Sequence, residues 1–360
     1  MNGEFPSTSF DIQIAQSIQE IEREVWDQLS KDQPFTSYQW YRFSESVLVN
    51  EKPMYIILTS KKKPVAGAAL RVTREEPVPT NSRLVQYLIA TALHYWPFLL
   101  CQVPFVGKTG LILPNPPLRD AALEAIAKSA QHQAQLHQAS FLGFTFLNED
   151  VAKSPGWPSD FAAIEFPVPT TRLDIKWSNF DEYINHLPRK RRKHYRQNLK
   201  RTTEMNVEIS IQPTVTDIDE AMVLIKNVQE KHSDTTPWNR QLLENASMVD
   251  SVWIEAKVED KLVGCELVVG DRGHWCVLTL GRDYDFDYVY FFLGYADIRF
   301  AIENGAQALY WGECSYDTKR RFGFQIGTNN YVTFIGNGPI LHKLGTWIGK
   351  MEEREAINYT

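Results

Sequence analysis

Residues 288–324 constrain the fold more than any other stretch of the chain. An aromatic-rich apolar run with helical character, from Tyr288 through Ile302, stops at Glu303-Asn304-Gly305. Asn and Gly tolerate the left-handed conformation that ends helices. The short apolar run Ala308-Leu309-Tyr310-Trp311 then predicts a buried strand. A dense polar patch follows at once, from Gly312 to Arg321, and leads into Phe322-Gly323-Phe324. A cluster of titratable groups at the C-terminal end of a buried strand is where open α/β sheets hold their ligands. The patch is the leading site candidate.

The rest of the chain repeats a related order twice. In the first half, apolar residues at helical spacing (Ile14, Ile18, Ile21, Val25, Trp26, Leu29) predict a helix, and Thr36 or Ser37 is placed to cap a second one. Two strands follow, 54–59 and 65–72, joined by a basic turn at Lys61-Lys62-Lys63-Pro64; a helix over 123–137 and a strand over 141–146 come later. The second half offers a helix over 217–231, strands over 252–257 and 262–269 around a charged turn, and a further strand over 274–280. Both halves thus contain a strand, charged turn and strand beginning Val-Ala-Gly-Ala or Val-Gly-Cys-Glu. We read this as structural duplication. Pro and Gly density over 154–169 predicts a linker between the two units.

Composition narrows the classes. A chain of 360 residues with 43% hydrophobic and 23% charged content has material for two cores. Its net charge of −6 argues against general nucleic-acid affinity. The four cysteines, Cys101, Cys265, Cys276 and Cys314, form no CxxC pair, and buried reduced thiols are expected. With no secretory pattern in the first residues, this predicts a cytoplasmic protein. Residues 84–106 carry no charge and are long enough for a span, but Gln86, His94, Pro97, Gln102 and Pro104 interrupt them. A buried strand-and-loop segment is expected there, without stable membrane insertion. No His, Cys and carboxylate spacing matches a zinc site, and no metal is expected.

Positive charge is concentrated in one segment. Eight of the thirteen residues 189–201 are Lys or Arg and none is acidic, which leaves −14 for the remainder of the chain. Pro188 suits a first helical turn, and Tyr195 and Leu199 supply a narrow apolar stripe. The segment predicts a basic helix that meets phosphate or polyphosphate, without aromatic interleaving for base readout.

Taken in order, Leu187-Pro188-Arg189-Lys190-x-Arg192-Lys193, the hairpin, the helix ending Glu303-Asn304-Gly305, the strand, and Tyr316-x-x-Lys319-Arg320-Arg321-Phe322-Gly323-Phe324 resemble the GNAT-fold acyltransferases of the Fem-related branch. That branch includes the peptidoglycan-bridge aminoacyltransferases and relatives that use acyl-CoA or acyl carrier protein. The match covers about 172–335, with a weaker one at 34–40. The resemblance implies an α/β fold of two tandem GNAT-like domains, each a mixed, mostly antiparallel sheet flanked by helices. We place them at 1–165 and 166–345, with the basic helix at 188–204 and a tail at 346–360. It also implies transfer of an acyl group to an amine acceptor without a metal or tightly bound cofactor.

One departure matters. The phosphate loop of GNAT proteins is Gly-rich, whereas here it reads Gly281-Arg282-Asp283-Tyr284-Asp285-Phe286-Asp287. The basic helix is then the expected phosphate contact, through Arg189, Arg191, Arg192 and Arg196, with Arg282 assisting. The donor expected is a phosphopantetheine thioester, either acyl-CoA or acyl carrier protein. An aminoacyl-tRNA donor is the alternative the basic helix favours, although 201–208 leaves no room for the coiled-coil insertion such enzymes often carry. A non-catalytic binding module is the third reading, on account of the degenerate loop.

Aminolysis of a thioester or ester requires a neutral amine, an oxyanion donor and an acid for the leaving group. Lys319 matches the motif lysine of the Fem-related branch and is expected to stabilise the oxyanion or a phosphate. Glu313, Asp317 and Glu266 are the candidate bases, and Tyr316 a candidate proton relay. Cys314 as a nucleophile has no histidine near it in sequence.

Overall fold

The hairpins determine most of the architecture. In the computed structural model the described residues are 10–75, 91, 94–166, 168–232, 234–313 and 315–356, with side chains described as far as Trp347. The first unit contains β1 (Asp11–Ala15), α1 (Arg23–Leu29), α2 (Tyr38–Val47), β2 (Lys52–Ser60), β3 (Lys63–Thr73), β4 (Phe98–Cys101), β5 (Leu111–Ile112), α3 (Arg119–Leu136), β6 (Phe141–Leu147), α4 (Glu149–Ala152) and β7 (Ala162–Phe166). The second contains β8 (Thr171–Asp174), α5 (Phe180–His186), α6 (Arg189–Glu204), β9 (Glu208–Gln212), α7 (Ile218–His232), α8 (Asn239–Asn245), β10 (Asp250–Val258), β11 (Lys261–Asp271), β12 (His274–Arg282), α9 (Val289–Glu303), β13 (Ala308–Tyr310), α10 (Tyr316–Phe322) and β14 (Gln325–Ile326). The chain closes with β15 (Asn330–Gly336) and α11 (Pro339–Ala356).

Three turns of two residues each have both positions at positive φ: Lys61-Lys62, Glu259-Asp260 and Arg272-Gly273. This is the backbone whose twist matches paired antiparallel strands. They join β2 to β3, β10 to β11 and β11 to β12. Each sheet then gains one parallel pair through a helical crossover. Strand β4 meets β6 by way of α3, and β12 meets β13 by way of α9. The result is an eight-stranded sheet, β1-β2-β3-β4-β6-β15-β7 with β5 on β3, and a seven-stranded sheet, β14-β8-β13-β12-β11-β10-β9. Two mixed, mostly antiparallel sheets flanked by helices match the expected duplication.

The structure differs from the sequence reading in several places. The predicted first helix is divided: Ile14 belongs to β1 and only residues 23–29 are α-helical. The expected linker contains β7, an edge strand of the first sheet. Strand β15, assigned from sequence to the second unit, inserts between β6 and β7 of the first, with Phe334 opposite both Gly143 and Ala162. The second half therefore donates a strand to the first. Ser37 rather than Thr36 caps α2, accepting from the Trp40 amide at 3.0 Å. Of the uncharged stretch, residues 84–90, 92 and 93 lie outside the described residues, while 98–101 form β4. No helix among the described residues is long and apolar enough to cross a membrane.

An apolar core joins the units. Phe35, Trp40, Phe43, Val103 and Val106 of the first pack with Leu224, Trp253, Leu267 and Tyr310 of the second. At its rim Arg272 donates to Asp27 Oδ1 at 3.1 Å, Gln33 O at 3.0 Å and Ser30 Oγ at 3.1 Å. The Phe35 amide answers from the other side to Asp271 Oδ2. Because β15 lies inside the first sheet, a chain ending at residue 328 is expected to lose cooperative unfolding of the first unit. Circular dichroism melts and limited proteolysis measure this, and a native-like melt would refute the strand exchange as a stability element.

Candidate active site

Strands β12 and β13 run together only briefly. His274, Trp275 and Cys276 pair with Ala308, Leu309 and Tyr310, and the pairing then stops. Gly312, at φ +62, turns the chain away, its carbonyl held by the Thr171 amide at 3.0 Å and hydroxyl at 2.9 Å. Only glycine takes such a φ at little cost. Strand β12 continues to Arg282 with β11 on one side and, among the described residues, no strand partner on the β13 side. At the parting Leu267 faces Thr279 and Val268 faces Val277, so Leu278 is bulged out of register. A bulge leaves its extra residue unpaired and re-aims the backbone around it.

Titratable groups converge at this fork. Cys276 is the last residue of β12 paired with β13, and burial pushes its thiol up to about 12. The Glu313 carboxyl adds to that rise, while the Lys108 and Lys319 ammonium groups oppose it. These four groups are therefore electrostatic neighbours. Lys319 and Phe322 form the inward face of α10, and Lys319 is only 5% exposed. Its ammonium donates to Glu313 O at 2.6 Å and to Trp311 O, which clamps the turn that leaves β13.

Glu313 lies against Gly107 of the first unit, where a Cβ would come within 2.0 Å of Oε1. The residue as a whole is half-buried, but its carboxyl is enclosed and Oε1 meets no hydrogen-bond donor among the described residues. Burial raises this carboxyl, and the opposing charge of Lys319 does not cancel the rise. Tyr316 donates to Pro169 O at 2.9 Å, and Asp317 is exposed and paired with Arg320 at 3.0 Å. Cys314 lies outside the described residues. The structure thus brings Lys319 and Glu313 to the fork and directs Asp317 to solvent.

Glu266 is elsewhere. It is buried on β11 opposite Leu280, on the face covered by α9. Sequence reading missed its neighbour Asp297, a fully buried acid within α9 that reads as an ordinary polar helix position. Asp297 Oδ2 accepts the Trp311 indole N–H at 2.7 Å, which ties α9 to the residue after β13. Burial raises both carboxyls, and the Glu266 charge raises Asp297 further. Glu266 Oε2 and Asp297 Oδ1 each lack a hydrogen-bond partner among the described residues. Both carboxyls therefore favour their protonated forms, and each makes ionisation of the other harder in a dry interior.

The basic helix lies on the α9 side. Its His194 packs on Phe291 at 4.6 Å and its Tyr195 on Tyr295 at 4.9 Å. Arg192 is structural, donating to Leu187 O at 2.6 Å and Asn185 O at 3.1 Å at the end of α5. Arg191 is half-buried, whereas Arg189, Lys190, Lys193 and Arg196 are exposed and form no ion pair among the described residues. Arg282 is at the far end of β12, its guanidinium 4.3 Å from the Tyr284 ring, with Lys231 also 4.3 Å from that ring. Asp283 is paired with Lys261 at 2.8 Å, which offsets its charge.

The buried acid pair has a signature in stability. A carboxyl raised to about 8 in the folded chain binds its proton more tightly than the unfolded chain does. Its contribution is present below the ordinary carboxylate pKa and is lost as pH rises through the raised value. Stability is expected to fall by up to about 1.4 kcal/mol per pH unit across that window. The Glu266→Gln, Asp297→Asn double variant should flatten the slope in urea titrations at stepped pH. An unchanged slope would mean the pair does not hold the proton.

Comparison with known proteins agrees with this architecture. The sequence profile of the FemAB-like family, described as peptidoglycan biosynthesis/recognition, matches residues 17–358. Among solved structures, FemX superposes with a TM-score of 0.59 at 12% identity, covering 89% of this chain and 96% of its own. A tandem GNAT protein from the clavulanic acid biosynthesis pathway gives 0.55 at 12% identity, covering 91% and 99%. The C-terminal domain of a putative lysylphosphatidylglycerol synthetase from Agrobacterium fabrum gives 0.52 at 10%, covering 88% and 92%. No curated protein sequence matches significantly. With the profile spanning nearly its whole length and the tandem GNAT fold in place, the chain belongs to the FemAB-like family.

Proposed function

We propose that the chain transfers an acyl group from a phosphopantetheine thioester, acyl-CoA or a loaded acyl carrier protein, to an amine. The observation that carries this reading is the open edge of β12. Residues 277–282 present backbone with no strand on the β13 side among the described residues, and Leu278 is bulged in the ladder with β11. An extended ligand with amides of its own pairs with such an edge as an added strand does. Six residues of strand span about 20 Å at 3.3 Å each, the scale of an extended pantetheine arm. Its phosphate end would meet Arg282 and Lys231 around Tyr284, and its thioester the fork at Cys276.

The chemistry at the fork needs no covalent enzyme intermediate. The acceptor amine attacks the thioester carbon and passes a proton to Glu313, whose raised carboxyl suits a base working near neutral pH. The positive charge of Lys319 favours the developing oxyanion. As the C–S bond breaks, the proton held by Glu313 moves to the leaving thiolate.

Coenzyme A is expected to raise the melting temperature, and the Arg282→Glu, Lys231→Glu double variant to lose most of that rise. With a working donor, Glu313→Gln should lower kcat by about 100-fold or more. Wild-type kcat should fall as pH drops through the raised Glu313 value, and the variant should lack that limb. No response to coenzyme A or to loaded carrier protein would defeat the thioester reading.

The basic helix favours a second reading, an aminoacyl-tRNA donor. Sixteen residues of helix extend about 24 Å, and Arg189, Lys190, Lys193 and Arg196, exposed and without an ion pair among the described residues, suit an extended polyanion better than a single diphosphate. Here tRNA binding should weaken steeply with salt, and replacing Arg189, Lys193 and Arg196 by Ala should reduce that slope by about three charges.

A further inference from the structure

The first unit places a cation, Lys108, beside the fork. The loop 103–108 sinks Val103 and Val106 into the core shared by the units and carries Lys108 onto the ring of Tyr310, 4.8 Å from its centre. Arg172, in register with Tyr310 across β8 and β13, lies 5.7 Å from the same ring. The Tyr310 hydroxyl is 3.3 Å from His274 Nδ1. Two cations and an imidazole, from both units, therefore surround one phenol.

Their charges are unequally matched. Arg172 has Asp174 at 2.6 Å. The Lys108 ammonium meets only the aromatic ring among the described residues, with no carboxylate or carbonyl. Burial, and then the charge of Arg172, pull its pKa down to about 8. A half-buried cation beside a second cation is unfavourable in an empty protein, and an arriving anion relieves it.

We propose that Lys108 and Arg172 receive an oxyanion, a carboxylate or a phosphate, borne by the amine acceptor. The assignment rests on the acyl-transfer reading only in calling the ligand the acceptor. Position separates this anion from those of the donor. Lys108 reaches the sheet face on which Tyr310 and Cys276 join the shared core, whereas the basic helix packs with α9 on the opposite face. Arg282 is six residues further along β12, about 20 Å at strand spacing. Phosphates held there do not reach Lys108. Two anion sites on two sides of one fork fit two substrates that meet in it, and the cations beside the amine also favour its neutral, nucleophilic form.

The test reads Lys108 directly, without an active donor. Full-length protein is reductively methylated at constant ionic strength, and modification of each lysine is followed by peptide mass spectrometry. The probes are glycylglycine, its C-terminal amide and inorganic phosphate. At ten times its Kd an anion should slow Lys108 modification about tenfold, with exposed Lys62 unaffected and the uncharged amide inert. Protection by glycylglycine alone identifies a carboxylate-bearing acceptor, and protection by phosphate alone a phosphorylated one. Equal Lys108 rates with all three probes at tens of millimolar would overturn the proposal. Lys108→Met should abolish stabilisation by the protecting anion and keep that by coenzyme A. A protein that ignores coenzyme A yet shows Lys108 protection keeps this site and loses only the thioester reading.

Discussion

The early parting of β12 from β13 is the constraint on which the rest of the site depends. A three-residue β13 is a short strand, and its departure is held by buried contacts rather than by the ladder. Thr171 fixes the Gly312 carbonyl, Lys319 fixes the carbonyls of Trp311 and Glu313, and Asp297 fixes the Trp311 indole. Each contact involves a polar or charged group that is expensive to bury unmatched. Together they give the turn one geometry, and the open edge of β12 exists because of that turn. Lys319 thus shapes the fork whether or not its charge also acts on a substrate.

That arrangement places charges of both signs in a nearly dry region. Glu313 is enclosed near Lys319, and Glu266 and Asp297 favour their protonated forms behind the Trp311 indole. The ordinary expectation is that buried ionic groups contribute little net stability, because desolvation offsets attraction. They are better understood as fixing one geometry and as shifting the acid–base properties of the groups nearest the fork.

Much of this was legible in the sequence, and what was not has identifiable causes. The hairpins and α9 are long, regular patterns with local turn signals, so they could be read directly. Strands β8 and β14 are four and two residues long and take their conformation from partners, whereas β13, also short, is announced by its apolar run. Residues 330–336 carry no local signal that specifies insertion between β6 and β7, and by chain order alone they fall to the second unit. Lys319 belongs to a run with Arg320 and Arg321 that suggests solvent. Only the start of α10 at Tyr316 shows that Lys319 shares its inner face with Phe322 while Asp317 and Arg320 face out. Lys108 left no signal, since its burial is created by the other unit. Arg192 read as one cation among eight, and its capping of α5 became visible only once helix positions were known.

The duplication also explains why the two units differ in chemistry. The first sheet has an equivalent parallel junction, Phe98 through Cys101 against Phe141 through Phe144. Just beyond it Thr145 Oγ1 reaches Gln102 Oε1 at 3.2 Å, bridging the point at which the strands would separate. The chain leaving β4 then runs into the 103–108 loop, which occupies the core between the units. An opening equivalent to the second fork is therefore bridged by its own side chains, and the segment leaving it delivers Gly107 to the Glu313 carboxyl and Lys108 to Tyr310. In this arrangement the first unit forms one wall of the second unit's fork. Substitutions in the 103–108 loop should accordingly act on the fork of the second unit as much as on the fold of the first.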